Sequence, residues 1–538
     1  MLDRSVAKAA TGARVKAGGS AHTAAPDVRR TENLSIEKSL AAERLCSGLL
    51  TRLLTLTDLG LGYLSLDRST PTCSPGGLQR LRLATQLASH LFGVVYVLDE
   101  PTAGLHPADG VALFDALHRL KQSGNSIFVV EHDVEMMRRA DWLVDVGLEA
   151  GGEGGQVLYS GPPAGLADVV ESRTKQYLFQ EVAPLKSQGR EASGWLRLDQ
   201  VSRNNLQCVD AAFPLKCFTA VTGVSGSGKS SLVSQALVEL MSAHLKQAVD
   251  VVEEEPSLED APILTTSGVL AGEYARIERL IEVDQRPIGR TPRSNLATYT
   301  GLFDHVRKLF AATPDARKRH FDAGRFSFNV PKGRCAVCEG EGFVSVELLF
   351  MPSVYAPCPE CHGSRYNPKT LEVMWQGRTI ADILSLTVQG ACEVFSEEVA
   401  IMRSLTVLRD IGLGYLRLGQ PATELSGGEA QRIKLATELQ RTQRGATLYI
   451  LDEPTTGLHP RDIDRLLIQL NRLVDAGNTV VVVEHDMRTV AQCDWVIDIG
   501  PGAGDQGGKI VTAGRSSEVA SHAGSRTAPY LAAALSQG

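Results

Sequence analysis

"FTAVTGVSGSGKSSLV", residues 218–233, decides the fold. A short apolar run leads into Gly223-x-x-x-x-Gly228-Lys229-Ser230, and a helix-like segment follows. Strand, glycine-rich turn and helix in that order are what a phosphate-binding loop requires. The loop comprises Gly223, Val224, Ser225, Gly226, Ser227, Gly228, Lys229, Ser230 and Ser231. Its glycines let backbone N–H groups converge on phosphate oxygens, and the helix N-terminus adds positive potential. Lys229 is expected to reach the β- and γ-phosphates of a nucleotide, and Ser230 to ligate Mg2+.

Two further runs carry chemistry. In "TLYILDEPTTGLHP", 447–460, Asp452 is placed to hold Mg2+ directly or through water, and Glu453 is the candidate base for an attacking water. In "GNTVVVVEHD", 477–486, His485 is placed to contact the γ-phosphate. Any one of these at a strand end is more often structural; three in order after a phosphate loop point to hydrolysis. Aliphatic runs alternating with helical stretches predict an α/β domain with a largely parallel sheet. Ligands of such sheets sit at the carboxyl ends of the strands.

The chain repeats itself. "LGLGYLSL" at 59–66 matches "IGLGYLRL" at 411–418, an offset of 352. "VVYVLDEPTAGLHP" at 94–107 matches 447–460, and "GNSIFVVEHD" at 124–133 matches 477–486, both at an offset of 353. "ADWLVDVG" at 140–147 matches "CDWVIDIG" at 493–500. Two related domains therefore lie in tandem. The first copy holds Asp99, Glu100 and His132, but no Gly-x-x-x-x-Gly-Lys precedes Cys73.

"ATELSGGEAQRIKLATEL", 422–439, has a worn counterpart in "TPTCSPGGLQRLRLATQL", 70–87. With the phosphate loop, Asp-Glu-Pro and Glu-His-Asp, this segment resembles the signature of ABC-type ATPases. In that family the signature of one domain closes over ATP held by the phosphate loop of another. Ser426, Gly427 and Gly428 would offer a hydroxyl and N–H groups there, with Ser74 the counterpart in the worn copy. Pro75 keeps a helix start but removes an N–H, and Gly77 replaces Glu429 and loses its favourable charge at the helix N-terminus.

"CAVCEGEG" at 335–342 and "CPECHGSR" at 358–365 give C-x2-C-x19-C-x2-C, the spacing of a structural Zn2+ site. Cys335, Cys338, Cys358 and Cys361 supply four thiolates; two disulfides are the alternative, disfavoured in a reducing compartment. Cys46, Cys73, Cys208, Cys217, Cys392 and Cys493 show no such pairing. A zinc module between phosphate loop and signature resembles the UvrA family, damage-recognition ATPases of bacterial nucleotide excision repair. "VDQRPIGRTPRSNLATYTG" at 283–301 and "GRFSFNVPKGRC" at 324–335 carry the same resemblance. It implies ATP, Mg2+ and Zn2+ as cofactors, Gln285 as the residue sensing nucleotide and Mg2+, duplex DNA read by deformation, and no intrinsic nuclease. Residues 286–334 hold eleven Lys and Arg against three Asp, a local +8 on a chain of −7, which fits contact with phosphate backbones.

The expected fold is tandem ABC-type α/β domains, the first incomplete, with a four-cysteine zinc module inserted in the second. Expected boundaries are an irregular N-terminus at 1–45, a half-domain at 46–170, a linker at 171–195, a complete domain at 196–520 with its insertion at about 300–410, and a tail at 521–538. Against the family pattern the chain reads as N-terminally truncated, which puts recruitment of the nuclease-loading partner UvrB in doubt. One phosphate loop allows one site per chain. Either the worn signature closes it slowly in cis, or two chains pair Ser426 with Lys229 of the other. A weakly active remnant that binds DNA or zinc without supporting repair, and a stand-alone ATPase of drug self-protection, are the competing readings. No apolar run approaches the roughly 20 residues of a membrane span, and the start lacks a secretory signal's apolar stretch, so a cytoplasmic protein is expected.

Overall fold

The computed structural model describes residues 35–69, 75–87, 91–148, 154–179, 189–245, 266–348, 351–441 and 446–536. Residues 1–54 and 55–538 form separate bodies. Helix Ile36–Asp58 begins in the first, with no buried residue. An irregular stretch was expected to run to residue 45, but "IEKSLAAERL" is rich in strong helix formers and is helical from Ile36.

Fifteen strands are described in the second body. The first copy supplies β1 (Val95–Asp99), β2 (Ser126–Val130), β3 (Leu143–Gly147) and β4 (Gln156–Gly161). The second copy supplies β5 (Trp195–Arg203), β6 (Leu206–Pro214), β7 (Phe218–Thr222), β8 (Ser267–Gly272) and β9 (Arg279–Val283). It continues with β10 (Phe343–Leu348), β11 (Met351–Pro357), β12 (Thr447–Asp452), β13 (Thr479–Val483), β14 (Trp495–Gly500) and β15 (Lys509–Gly514).

The second copy is complete. Its six-stranded sheet has the order β15-β14-β7-β13-β12-β9, parallel except for edge strand β15. β7 and β13, "FTAVT" and "TVVVV", are buried at every position, as continuous β-branched runs in the middle of a parallel sheet must be. One face packs on the antiparallel sheet β6-β5-β8 and the helical segment after the phosphate loop. The other packs on helix Pro460–Asp475 and its neighbours. The inserted region has its own core, from Leu296 to Ala436, and Cys335, Cys338 and Cys358 form a separate small buried cluster.

The first copy repeats only part of this plan. β1 and β2 pair in parallel with Val95 opposite Ser126, as Leu448 stands opposite Thr479 in β12 and β13. β3 and β4 form a separate antiparallel pair. One face of β1–β2 is covered by helices Pro75–Leu87 and Pro107–Gln122, through Leu83, Ala84, Tyr96, Leu113 and Leu117. Between β2 and β3, where the second copy has β7, no strand lies among the described residues.

Two boundaries move. The linker was expected from 171, but Thr174–Leu178 is a helix whose Tyr177 and Leu178 are buried. The tail was expected from 521, but helix Ala528–Ser536 packs on Met487–Ala491 and Ser516–Ala520. Both helices are short, and part of their burial comes from partners remote in sequence: Tyr177 donates to Asp464, and Ala528–Ser536 packs on Met487–Ala491. The contrast between copies has a measurable consequence. Ile450→Ala, in the dry core, should cost about 2–5 kcal/mol, whereas Val97→Ala at the matching position, largely exposed, should shift stability by less than about 0.5 kcal/mol. Urea midpoints of the two variants measure the difference.

Candidate functional site

The phosphate loop follows β7 and opens into the helical segment Ser231–Leu237 and helix Val238–Leu245. Lys229 is buried and donates to its own loop, to the carbonyls of Gly223 at 2.9 Å and Val224 at 3.0 Å. Burial pushes its ammonium below the usual lysine range, opposed by Glu453, Asp109, Asp452 and Asp498. Asp452 ends β12 with one oxygen accepting from Ser234 at 3.1 Å and the other buried without a partner. Burial, then the neighbouring Glu453, raises its carboxyl to about 6.

Glu453 stands 3.3 Å from His485 Nε2. Burial pushes its carboxyl up, but His485 and Lys229 outweigh burial and hold it below the ordinary value. His485 itself is depressed by burial and by Lys229, so it is neutral near pH 7. Gln285 donates to the Glu453 carbonyl at 3.2 Å, and Gly427 lies against Gln285. Ser230 is exposed at the helix start, while the Ser231 hydroxyl accepts from Asn204 at 2.9 Å.

The phosphate loop is not closed by its own domain. The backbone N–H of Ser225 donates to Asp109 of the first copy at 2.8 Å. A Cβ on Gly226 would meet the ring of Tyr63, also first-copy, at 2.8 Å. Loop 100–106 of the first copy lies across Glu453: a Cβ on Gly104 would come within 2.7 Å of its carboxylate. The reverse contact exists too, with Gly457 against Glu100 at 2.8 Å. Both glycines have positive φ, +66° and +69°, a backbone conformation that favours glycine there.

A reciprocal polar relay locks the crossing. Burial holds His106 well below the usual histidine range, so it is neutral. Its Nδ1 accepts from Ala108 N–H, which leaves the proton on Nε2 to donate to Thr527 at 3.0 Å. Thr527 donates in turn to Asp498 at 2.7 Å. His459, pushed down to about 4 by burial, repeats this: Nδ1 accepts from Arg461 N–H, Nε2 meets Thr174 at 3.3 Å, and Thr174 donates to Asp145 at 2.8 Å. A cavity of about 540 Å³ remains between the crossed loops, lined by His132, His485, Glu131 and Glu484 among others.

The two signatures differ as their sequences do. Ser426 caps helix Gly427–Gln440 in a reciprocal capping box with Glu429, which also accepts from the Tyr415 hydroxyl. Gly77 cannot make that box, and Tyr63, the counterpart of Tyr415, rests on the phosphate loop instead. Ser74 lies outside the described residues. Glu100 faces His132 at 3.7 Å with no phosphate loop of its own copy among the described residues. Sequence reasoning did not single out Tyr63, Asp109, Ser234, Thr527 or Asp498. The repeat held a usable signal: His106/His459, Asp145/Asp498 and Thr174/Thr527 all recur at 353.

The chemistry of the donor set fits a nucleotide with a divalent cation. Thr222, Ser225 and Ser227 have buried hydroxyls without partners, beside the orphaned Asp452 oxygen and His485 Nδ1. The sulfurs of Cys335, Cys338, Cys358 and Cys361 lie within 4.8 Å of one another. That matches four thiolates at about 2.3 Å around one Zn2+. Gly340 permits the knuckle, since a Cβ there would strike the Phe328 carbonyl at 1.9 Å.

A scan against protein-family models matches none. The chain is 49% identical over 493 residues to UvrABC system protein A of Streptomyces avermitilis, covering 91% of this chain and 48% of that protein. It is 51% identical over 483 residues to the Thermus thermophilus protein of the same name, covering 89% and 49%. The crystal structure of UvrA2 from Deinococcus radiodurans superposes with a TM-score of 0.88 at 63% identity, covering 94% of this chain and 60% of that one.

The chain is UvrA-like, with the ABC ATPase fold. It spans about half the length of the curated UvrA proteins it matches. No described helix is long and apolar enough to cross a membrane. Cys335→Ser or Cys361→Ser in this UvrA-like chain should lower bound zinc well below one per chain, with Cys217→Ser, remote from the cluster, leaving it unchanged. Metal analysis of the purified variants decides it, and unaltered zinc in the first two would remove the four-cysteine assignment.

Proposed function

We propose that the chain is an ATP-hydrolysing, duplex-DNA-binding protein of the UvrA kind, with one nucleotide site assembled from both copies. The observation that carries this reading is the crossing of first-copy residues Tyr63, Gly104 and Asp109 onto the second copy's phosphate loop and Glu453. Lys229 and the loop N–H groups would hold the phosphates, with Ser230 and Asp452 on Mg2+. Bound Mg2+ would supply charge neutralisation at the β- and γ-phosphates. Glu453 accepts a proton from, or orients, the attacking water, and neutral His485 donates its one N–H, on Nε2, to hold Glu453 in place. Gln285, on the Glu453 carbonyl, ties this centre to the signature through Gly427. With Gly77 in place of Glu429, slow turnover is expected.

DNA contact is assigned to the inserted region. Five of its eleven basic residues are already paired: Arg286, Arg293, Arg307, Arg319 and Arg334. Among the described residues no ion pair engages Lys308, Arg317, Lys318 or Lys332, and all four are exposed. These are the candidates for phosphate-backbone contact. Cytoplasmic excision repair is the setting carried over from the relatives. Zinc then serves as a structural staple for the surface that meets DNA.

Lys229→Ala should reduce ATP turnover by at least about 100-fold and Glu453→Gln by a similar factor, with zinc content unchanged. Wild-type protein without turnover, with or without damaged duplex, would favour the inactive-remnant reading. Asp109→Arg should abolish turnover while Ser426→Arg leaves it; the opposite result would mean that the site closes between chains. Replacing Arg317 and Lys318 by Glu should weaken duplex binding and flatten its salt dependence by about 0.9 per lost phosphate contact.

A further inference from the structure

The phosphate loop is gripped at two points by residues far from it in sequence. The Ser225 N–H donates to Asp109 of the first copy at 2.8 Å. At the start of the loop a Cβ on Gly223 would strike the Ile499 carbonyl at 2.0 Å, so the end of β14 runs against it. Asp498, the neighbour of Ile499, is joined to Asp109 by a line of hydrogen bonds and one helix turn. Asp498 accepts from the Thr527 hydroxyl at 2.7 Å, and the Thr527 oxygen meets His106 Nε2 at 3.0 Å. His106 Nδ1 caps helix Pro107–Gln122 by accepting from the Ala108 N–H at 3.1 Å. Asp109 stands in the same first turn, its own N–H on the His106 carbonyl at 2.8 Å.

Chemistry gives this line one direction. His106 is buried and neutral, so it carries a single N–H. With Nδ1 occupied as an acceptor, that N–H is on Nε2 and needs an oxygen to receive it. Thr527 supplies the oxygen because its own proton is committed to Asp498. Thr527 and His106 are 0% exposed, so solvent does not replace a lost member and an unpaired donor is costly. A hydrocarbon at position 527 leaves the His106 N–H without an acceptor. Moving the proton to Nδ1 is no remedy, since that nitrogen would then oppose the Ala108 N–H. Either state loosens the helix start that carries Asp109. Thr527 is itself held by Ser525, whose hydroxyl oxygen accepts the N–H groups of Thr527 and Ala528 at 3.1 and 2.9 Å.

We propose that Thr527 is a positioning residue of the nucleotide site, through which the segment 525–536 sets Asp109 on the phosphate loop. It acts on the loop through the His106 ring and the helix start at Ala108. This role rests on the proposed reading of one ATP site shared by the two copies. The repeat supplies a contrast of the same chemistry. In the matching line Asp145–Thr174–His459 the last step is longer, 3.3 Å. That line leads to Asp462, the counterpart of Asp109, which accepts from Arg465 of its own helix at 3.2 Å. Among the described residues no phosphate-loop N–H meets Asp462. The hydroxyl at position 527 therefore bears on the loop, and the one at position 174 does not.

Amide exchange at Ser225 in the full chain reads this role without any turnover. Thr527→Val removes the hydroxyl at similar volume and should speed exchange at Ser225 by at least about tenfold, with β13 as in the wild type. Thr527→Ser should restore slow exchange, and Thr174→Val should leave Ser225 within about twofold of the wild type. Asp109→Ala frees the Ser225 N–H outright. Adding Thr527→Val to it should speed exchange no further, since both changes act through one contact. Thr527→Val should also lower kcat about tenfold, with the Kd for ADP within about threefold, because Lys229 and the loop still hold phosphate. Unchanged exchange or unchanged kcat in Thr527→Val would overturn the proposal. So would equal acceleration in Thr527→Ser or Thr174→Val, or additive acceleration in the double variant. Thr527→Ala serves the same comparison if the valine variant does not fold. Wild-type protein without turnover counts against the proposed function alone, and the exchange at Ser225 still decides the role of Thr527.

Discussion

Everything at the site depends on how closely a glycine of each copy lies on the glutamate side chain of the other. Gly104 lies on Glu453 and Gly457 on Glu100, at separations that leave no room for a Cβ. The two glutamates sit at φ +45° and +43°, a conformation costing roughly 1–3 kcal/mol for a residue of this type. Such strain persists only where the surroundings overdetermine it. Here the surroundings are Glu484 and Glu131, which accept N–H groups from Thr455 and Thr102 of the same crossing loops, and the paired His–Thr–Asp relays. The crossing therefore positions the Glu453 carboxylate from both copies at once.

Near-identical sequence patterns reach different environments on the two sides of this crossing. "TLYILD" is buried on both faces because β13, β9 and two flanking layers surround it. "VYVLD" is buried on one face only. At about 25 cal/mol per Å² of apolar area, an uncovered sheet face is a substantial missing stabilisation. The first copy holds its shape through Leu113, Ala116, Leu117 and Tyr96 on the packed side, and through its polar relays to the second copy.

Local motifs were legible because they are local. The phosphate loop, the Asp-Glu-Pro and Glu-His-Asp runs and the cysteine spacing each need only a few neighbours to be read. The repeat made the correspondence between the two copies legible, down to Asp99, Glu100 and His132 matching Asp452, Glu453 and His485. Tyr63 and Asp109 were not legible, since their roles come from contacts more than 100 residues away. Nor was the helix at Ala528–Ser536, whose place is fixed by Thr527 bonding Asp498. The boundary at residue 45 failed for the opposite reason: local helix propensity in Ile36–Asp58 prevailed without any burial.

The central claim is one nucleotide site assembled within a single chain. Specific ATP turnover measured from nanomolar to micromolar protein tests it most directly. The account predicts turnover per chain that is constant across that range, with one nucleotide bound per chain. Turnover per chain that rises with concentration, as a site shared between two chains requires, would contradict it.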